Sequence, residues 1–145
     1  SISILYMPSF DDISQEYNNL DVEVEIKNEK SIRNDLLLGF DYEYPQSGAE
    51  VTIDSDEFTA VCPLTGLPDF GTLFIKYVPK NLLIELKSLK YYLLSYTSVG
   101  IVQEHAANKI LNDLIEKYDP VSITVELDYK IRGGLHTVVS VSNQN

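Results

Sequence analysis

The sequence predicts a two-layer α+β domain in which two helices cover one face of a four-stranded antiparallel sheet. Three segments alternate apolar and polar residues, which is the period of half-buried strands, and a fourth, residues 73–78, is a short and mainly apolar run of strand length. Two segments between them repeat apolar residues at every third or fourth position, which is the period of amphipathic helices. The resulting order is strand, strand, helix, helix, strand, strand (ββααββ), and it favours antiparallel pairing with both helices on one face.

The first predicted hairpin surrounds the only cysteine of the chain. Residues 51–60 predict a strand that is broken by an acidic bend at 54–56, and residues 73–78 predict its partner. Between them, Pro63, Gly66 and Pro68 exclude a central strand or a helix interior, because proline lacks an amide donor. We therefore expect a loop between the two strands. Loops that a rigid scaffold positions often carry binding or catalytic residues.

Helical spacing follows the hairpin. Leucines in residues 86–96 fall on one side of a first helix, and a second helix is predicted over residues 102–118, ending before a proline. Residues 121–129 alternate as a third strand, a Gly-Gly turn reverses the chain, and residues 135–141 return as the fourth. The open edges of such a sheet predict that copies pair edge to edge and close a barrel.

The first part of the chain predicts an extension rather than a second domain. We expect residues 1–48 to form an N-terminal arm and residues 49–145 to form the catalytic domain. Within the arm, Val22, Val24 and Ile26 alternate with charged residues, as in a half-buried strand or an edge segment.

Composition limits the class of protein. A length of 145 residues allows about one domain, and 44% hydrophobic with 23% charged residues is ordinary for a globular protein. No apolar run approaches the roughly 20 residues of a membrane helix, and residues 1–6 lack the basic start of a signal peptide, so we expect a cytoplasmic protein. The net charge of −11 disfavours a nucleic-acid partner.

The cysteine has two interpretations. A lone cysteine is often a small buried hydrophobic residue, but Cys62 lies on a proline-bounded loop just after a strand. Asp69 nearby would oppose a thiolate by its charge, so its better role is that of a proton donor. Such a pair suits addition to a carbon–nitrogen multiple bond or a carbonyl, in which sulfur attacks carbon and the acid protonates the heteroatom.

Basic residues suggest a phosphate site, although each has a plain structural alternative. Lys87 and Lys90 lie one helical turn apart and, with Ser88 near a helix start, could hold a phosphate or could form a solvated face. Arg132, before Gly133, is either a second phosphate ligand or a turn residue.

The start of the second helix carries a possible base-recognition site. Glu104 there gains from the helix dipole, which is a sufficient structural reason for it, and it could also accept two N–H bonds from a purine-like edge. His105 and His136 are the only histidines, and their spacing from Cys62 does not predict a metal site.

Together these motifs resemble the NADPH-dependent 7-cyano-7-deazaguanine reductases of queuosine biosynthesis, the nitrile reductases of the tunnelling-fold superfamily. The matching residues run in order between about 43 and 139. They are Glu57-Phe58-Thr59, Cys62-Pro63, Thr65-Gly66, Pro68-Asp69, Glu85-Leu86-Lys87-Ser88-Leu89-Lys90-Tyr91-Tyr92, Glu104 and Arg132-Gly133-Gly134.

The resemblance implies a role for each matching residue. Cys62 would attack the nitrile and form a covalent thioimidate, and Asp69 would deliver protons to nitrogen. NADPH would give two hydrides in succession. The implied cofactor-binding residues are Lys87, Ser88, Lys90, Arg132 and Gly133, and the implied substrate-binding residues are Glu104, Gln103 and Glu85. The resemblance also implies a homo-oligomeric tunnelling fold with active sites between subunits.

Departures from the family pattern leave a sister activity open. Gln103 stands where the family usually has histidine, Leu67 where it has glutamine, and Thr97 where it has arginine. An archaeal branch of the superfamily adds ammonia to the same nitrile in tRNA, which makes archaeosine without NADPH. The intact motif at 85–92 and the acidic charge favour the reductase. A third possibility is a non-catalytic pterin- or purine-binding oligomer with an inert cysteine.

Overall fold

A computed structural model of the chain describes residue 7, residues 9–20 and residues 25–143. Residues 1–6 and most of the strand predicted around Val22 and Val24 lie outside the described residues. In chain order the described elements are α1 (Phe10–Asn18), the 3-10 turns η1 (Glu29–Ser31) and η2 (Asn34–Leu36), β1 (Gly39–Asp41), β2 (Val51–Val61), β3 (Pro68–Val78), β4 (Leu82–Ile84), α2 (Leu86–Leu94), α3 (Gln103–Tyr118), β5 (Ser122–Tyr129) and β6 (Val138–Ser142).

The main sheet contains four antiparallel strands in the order β2-β3-β5-β6. The α+β class with antiparallel pairing, predicted from the sequence, is confirmed. The element order differs in one respect, because β4 intervenes between β3 and α2 and pairs with β1 in a second, two-stranded sheet. The apolar run at 82–84 finds a partner in the N-terminal segment, and a sequence period cannot reveal such a distant pairing.

The bend predicted at 54–56 is wrong, because β2 runs without a break from Val51 to Val61. Its register with β3 shifts between Ser55 and Phe58, which is a β-bulge. Asp56 and Glu57 are both exposed there, so the bulge accommodates the extra acidic residue and the strand continues.

Strand β3 begins earlier than predicted, at Pro68 rather than near residue 73. Proline is tolerated at the first position of a strand, where its missing amide costs no ladder hydrogen bond. Pro68 pairs with Val61, so the loop that carries Cys62 is confined to residues 62–67.

The core lies between the main sheet and helices α2 and α3. Alternate residues of β3 and β5 face inward, and α2 and α3 lay their apolar sides against that face. Side chains from all four elements that are at most 3% exposed include Leu73, Ile75, Val125, Leu127, Leu89, Tyr92, Ile110 and Leu114. In the part of the chain that the structure describes, no helix is both long and apolar enough to cross a bilayer.

Part of the predicted N-terminal arm packs into the same core. Ile32 and Leu37 are buried among the core residues. The amide of Leu38 donates to Ser88 Oγ at 3.0 Å, and its carbonyl accepts from Tyr118 Oη at 2.6 Å. The segment is therefore hydrogen-bonded to both α2 and α3. The domain boundary at residue 48 stays a prediction.

Candidate active site

The loop that carries Cys62 is a tight turn closed at both ends. The amide of Cys62 donates to the carbonyl of Leu67 at 2.9 Å, and the amide of Gly66 donates to the carbonyl of Cys62 at 2.8 Å. Gly66 has a φ of +72°, a left-handed conformation that a side chain would strain. The turn therefore fixes the backbone on both sides of the thiol.

The loop also prepares the sulfur for ionisation. A hydrogen bond from the Thr65 side chain lowers the pKa of Cys62 below its ordinary value, and hydrogen bonds from the backbone of Thr65 and Leu64 and the charge of Arg132 act in the same direction. Partial burial of the half-exposed thiol opposes them. This source of stabilisation was not predicted, since Thr65 was noted only as part of a motif.

Asp69 lies across the turn from Cys62, at the second position of β3. It is 6% exposed, and its Oδ1 accepts a hydrogen bond from Arg132 Nη1. Arg132 reaches it from the turn between β5 and β6, where Gly133 and Gly134 both have positive φ. Gly133 therefore has a conformational role, and Arg132, predicted as a phosphate ligand, is paired with the candidate acid in this chain.

The N-terminus of α3 forms the opposite wall. Gln103 and Glu104 occupy its first turn, and Val102 at the N-cap offers no side-chain acceptor. The carbonyl of Gln103 accepts from Tyr129 Oη at 3.1 Å. Burial, and then the charges of Asp69 and Glu104, raise the pKa of Tyr129, so its hydroxyl stays a neutral donor.

One pocket of about 170 Å³ brings these side chains together. Its lining residues are Cys62, Pro63, Asp69, Val102, Gln103, Glu104 and Arg132. Within the described residues, no side chain hydrogen-bonds to the exposed carboxylate of Glu104, which leaves it available to a ligand. The pocket thus combines a thiol, a buried carboxyl group, a cation and a carboxylate to which no described side chain hydrogen-bonds.

The motif at residues 85–92 has a structural use that the sequence analysis did not assign. Glu85 is the N-cap of α2: its carboxylate accepts from the amides of Lys87 at 3.0 Å and Ser88 at 2.7 Å. Hydrogen bonding to the Ser88 amide is the largest cause of a lowered pKa at Glu85. Ser88 is buried, and its hydroxyl donates to the carbonyl of Glu85 at 2.8 Å and accepts from Leu38.

The two lysines of that motif face solvent. Neither Lys87 nor Lys90 forms a salt bridge with any residue that the structure describes. Lys90 lines a separate, largely apolar cleft of about 290 Å³ between β2 and α2. A single copy therefore does not bring these cations to the Cys62 pocket.

Metal-binding side chains do not converge in the described ranges. No group of three or more His, Cys, Asp or Glu residues there could hold an ion. His136 instead lies 2.6 Å from Asp128 Oδ1 through its Nε2.

Known proteins share both the sequence and the fold of this chain. Residues 68–145 match the family described as QueF-like protein. The chain is 46% identical over 112 residues to the NADPH-dependent 7-cyano-7-deazaguanine reductase of Chlorobium luteolum, a match that covers 77% of this chain and 97% of that protein. The chain belongs to the QueF-like family. The resemblance expected from the sequence motifs is confirmed.

Two further comparisons extend this result. The QueF-like chain is 48% identical over 108 residues to the reductase of the same name from Caldanaerobacter subterraneus, covering 74% of this chain and 81% of that protein. The crystal structure of the apo archaeosine synthase QueF-Like superposes with a TM-score of 0.62 at 20% identity, covering 67% of this chain and 95% of that chain. The structural match supports the shared fold alone.

Proposed function

We propose that this chain reduces the nitrile of 7-cyano-7-deazaguanine to an aminomethyl group with NADPH, in queuosine biosynthesis, through a thioimidate on Cys62. One observation carries the proposal: the pocket joins a thiol of lowered pKa, the buried Asp69 and the unpaired carboxylate of Glu104. Relatives at 46% and 48% identity bear the name of this reductase.

The first step requires only residues of the pocket. The Cys62 sulfur attacks the nitrile carbon, one carbon–nitrogen bond of the triple bond opens, and the nitrogen takes up a proton. Hydrogen bonding from Thr65 lowers the pKa of Cys62 and so favours the thiolate, which is the nucleophile. Glu104 accepts N–H bonds from the guanine-like edge, with Gln103 beside it, and this fixes the nitrile over the sulfur.

Asp69 delivers protons to nitrogen in this proposal. The hydrogen bond from Arg132 occupies Asp69 Oδ1, so contact between that oxygen and the nitrile nitrogen requires Arg132 to move. The Arg132 side chain is 52% exposed, whereas that of Asp69 is 5% exposed, so the arginine is the partner with room to move. A phosphate that draws Arg132 away would leave Asp69 Oδ1 free to contact the nitrile nitrogen.

NADPH, when bound, supplies two hydrides, which with two protons convert one nitrile to a primary amine and release the cysteine. Exposed cations fit its phosphates, and Lys87 and Lys90 are exposed and form no salt bridge with a residue that the structure describes. Because they lie apart from the Cys62 pocket in one copy, we propose that a neighbouring copy completes the site. Ligand contacts of Glu85, Ser88 and Gly133 stay predictions, since each has a structural role.

The open edges of the main sheet support an oligomer. Within the described residues, strands β2 and β6 each have one neighbour in the main sheet, and only the end of β2, at Val61, also bonds to the segment before α3. We propose that copies join along these edges as a tunnelling-fold barrel, with residues 49–145 as the catalytic unit. A cytoplasmic location and the lack of a nucleic-acid partner remain predictions from the sequence.

Cofactor stoichiometry tests the proposal. With substrate and NADPH present, two equivalents of NADPH should be oxidised for each nitrile consumed, and Cys62→Ala should abolish the oxidation. Consumption of the nitrile with ammonia and without NADPH oxidation would instead support the amidine-forming activity. A purine-binding oligomer would bind the base and leave both reactants unchanged.

A further inference from the structure

The N-terminal segment runs beside a short extended segment that precedes α3, residues 98–101, here called the ribbon. The amide of Lys27 donates to the carbonyl of Ser98 at 2.8 Å, and the amide of Gly100 donates to the carbonyl of Lys27 at 2.8 Å. The two segments form a parallel bridge. Lys27 is therefore held along one edge of the ribbon.

The other edge of the ribbon holds the end of β2. The amide of Val61 donates to the carbonyl of Val99 at 3.0 Å, and the amide of Ile101 donates to the carbonyl of Val61 at 3.1 Å. Val61 is the residue before Cys62, and Ile101 is three residues before Glu104. The ribbon therefore links the backbones of the nucleophile and of the proposed base-binding residue.

The side chain of Ile26 packs where the ribbon meets the Cys62 turn. A Cβ placed on Gly100 would lie 2.6 Å from Ile26 Cγ2 and 3.3 Å from Pro63 Cα. A Cβ placed on Gly66 would lie 3.2 Å from Ile26 Cδ1. The isoleucine thus packs on two glycines at once, one in the Cys62 turn and one in the ribbon.

We propose that Ile26 is a positioning residue for the nucleophile, wedged between Gly66 and Gly100 so that the Cys62 turn cannot shift against the ribbon. The proposal rests on the assignment of Cys62 as the nucleophile. The bonds from the amides of Cys62 and Gly66 define the turn and so set where the sulfur lies, and hydrogen bonds weaken steeply when their angle departs from linearity, so the position of the sulfur depends on a turn that does not move. Ile26 supplies that restraint from a part of the chain outside the catalytic unit.

The test is the pH dependence of iodoacetamide alkylation, measured on the full chain. The chain has one cysteine, so the signal reports Cys62 alone. Ile26→Ala should shift the midpoint to higher pH and lower the rate at neutral pH about three- to tenfold, because the turn loses the contacts that favour the thiolate. Ile26→Val keeps the Cγ2 methyl group that lies against Gly100, so its pH profile of alkylation should stay near that of the wild type.

Ile13→Ala is the matched control. Ile13 is 45% exposed and Ile26 is 40% exposed, and Ile13 lies on α1, which has no buried residue. Its profile should equal that of the wild type. Thermal unfolding monitors the fold of each variant. If Ile26→Ala does not fold, Gly100→Ala tests the same contact, since its new methyl group must displace Ile26 or Pro63 and should produce the same upward shift.

An unshifted midpoint in a folded Ile26→Ala or Gly100→Ala variant would overturn the proposal, as would an equal shift in Ile13→Ala. Alkylation needs neither nitrile nor NADPH, so this outcome is separate from the reductase assignment. A shifted midpoint in a protein that does not reduce the nitrile would contradict the proposed function and leave the positioning role supported.

Discussion

At the scale of single residues, the reactivity of Cys62 originates in its own loop. Hydrogen bonding from the side chain and the backbone of Thr65 is the main cause of the lowered pKa of Cys62, and the charge of Arg132 adds a smaller effect. A thiolate is the nucleophilic form of cysteine, so a lowered pKa increases the reactive fraction at neutral pH. The same Arg132 pairs with Asp69, so one cation bonds to the candidate acid and also lowers the pKa of Cys62.

Replacing Thr65 should therefore slow the alkylation of the Cys62 thiol at neutral pH. Thr65→Val removes the hydroxyl at nearly constant volume, and the pKa of Cys62 should rise toward the ordinary value of about 8.5. Because the folded pKa is the lowered one, the thiolate fraction at neutral pH falls, and the alkylation midpoint moves to higher pH. Thr59→Val is the control, since the Thr59 hydroxyl donates to the Glu57 carbonyl instead. An unchanged midpoint in Thr65→Val would contradict the assigned cause.

Asp69→Asn should lower turnover by about two to four orders of magnitude, the usual scale for a general acid. Asparagine keeps the shape but cannot supply the proton. The measurement is steady-state NADPH oxidation at saturating substrate. Asp128→Asn is the control, because Asp128 pairs with His136 and is absent from the residues that line the Cys62 pocket. Equal turnover in Asp69→Asn and the wild type would refute the proton-donor role.

At the scale of elements, the motif in α2 builds the helix and its contacts. Glu85 caps the first turn of α2, and the side chain of Tyr92 is buried in the core. Tyr92 Oη donates to Asp113 Oδ2 of α3 at 2.6 Å and lies 2.7 Å from Tyr96 Oη. Lys109 Nζ also reaches Asp113, at 2.8 Å. A buried polar network therefore joins α2 and α3, and the lysines of the motif are left on the surface.

Removing one hydroxyl tests this network. Tyr92→Phe takes away a donor to the buried Asp113 and should lower the free energy of unfolding by about 1–3 kcal/mol. Tyr91→Phe makes the same chemical change on the neighbouring residue, which is 53% exposed, and should leave stability nearly unchanged. Urea unfolding followed by circular dichroism gives both values. Equal stabilities of the two variants would show that the network contributes nothing.

At the scale of the whole molecule, local sequence periods predicted most of the fold. Alternation in residues 121–129 and helical spacing in 102–118 correspond closely to β5 and α3. Contacts between distant residues were not predictable, because no period marks them. The pairing of β1 with β4, the Arg132–Asp69 bond and the packing of Ile26 on Gly66 are of this kind.

The site shows the same limit. The sequence identified Cys62, Asp69 and Glu104, and the structure places all three in one pocket. The sequence could not show that Ser88 is buried and hydrogen-bonded within the fold, because its burial depends on the N-terminal segment that covers it. Thr65 could have been found from its place in the Cys62 turn, where a hydroxyl close to the sulfur is expected.

The open sheet edges lead to a prediction about assembly. One copy has a mass of 16.4 kDa, and light scattering at micromolar concentration should give a multiple of it. Edge pairing would bury the exposed backbone groups of β2 and β6. A mass of one copy would contradict both the barrel and the completion of the NADPH site by a neighbour.

The central claim is a bond between the Cys62 sulfur and the nitrile carbon of the base, and intact-protein mass spectrometry tests it most directly. Incubated with 7-cyano-7-deazaguanine and no NADPH, the wild-type chain should gain the mass of one base, and Cys62→Ala should gain nothing. An unmodified wild-type chain, or an equal gain in Cys62→Ala, would contradict the account.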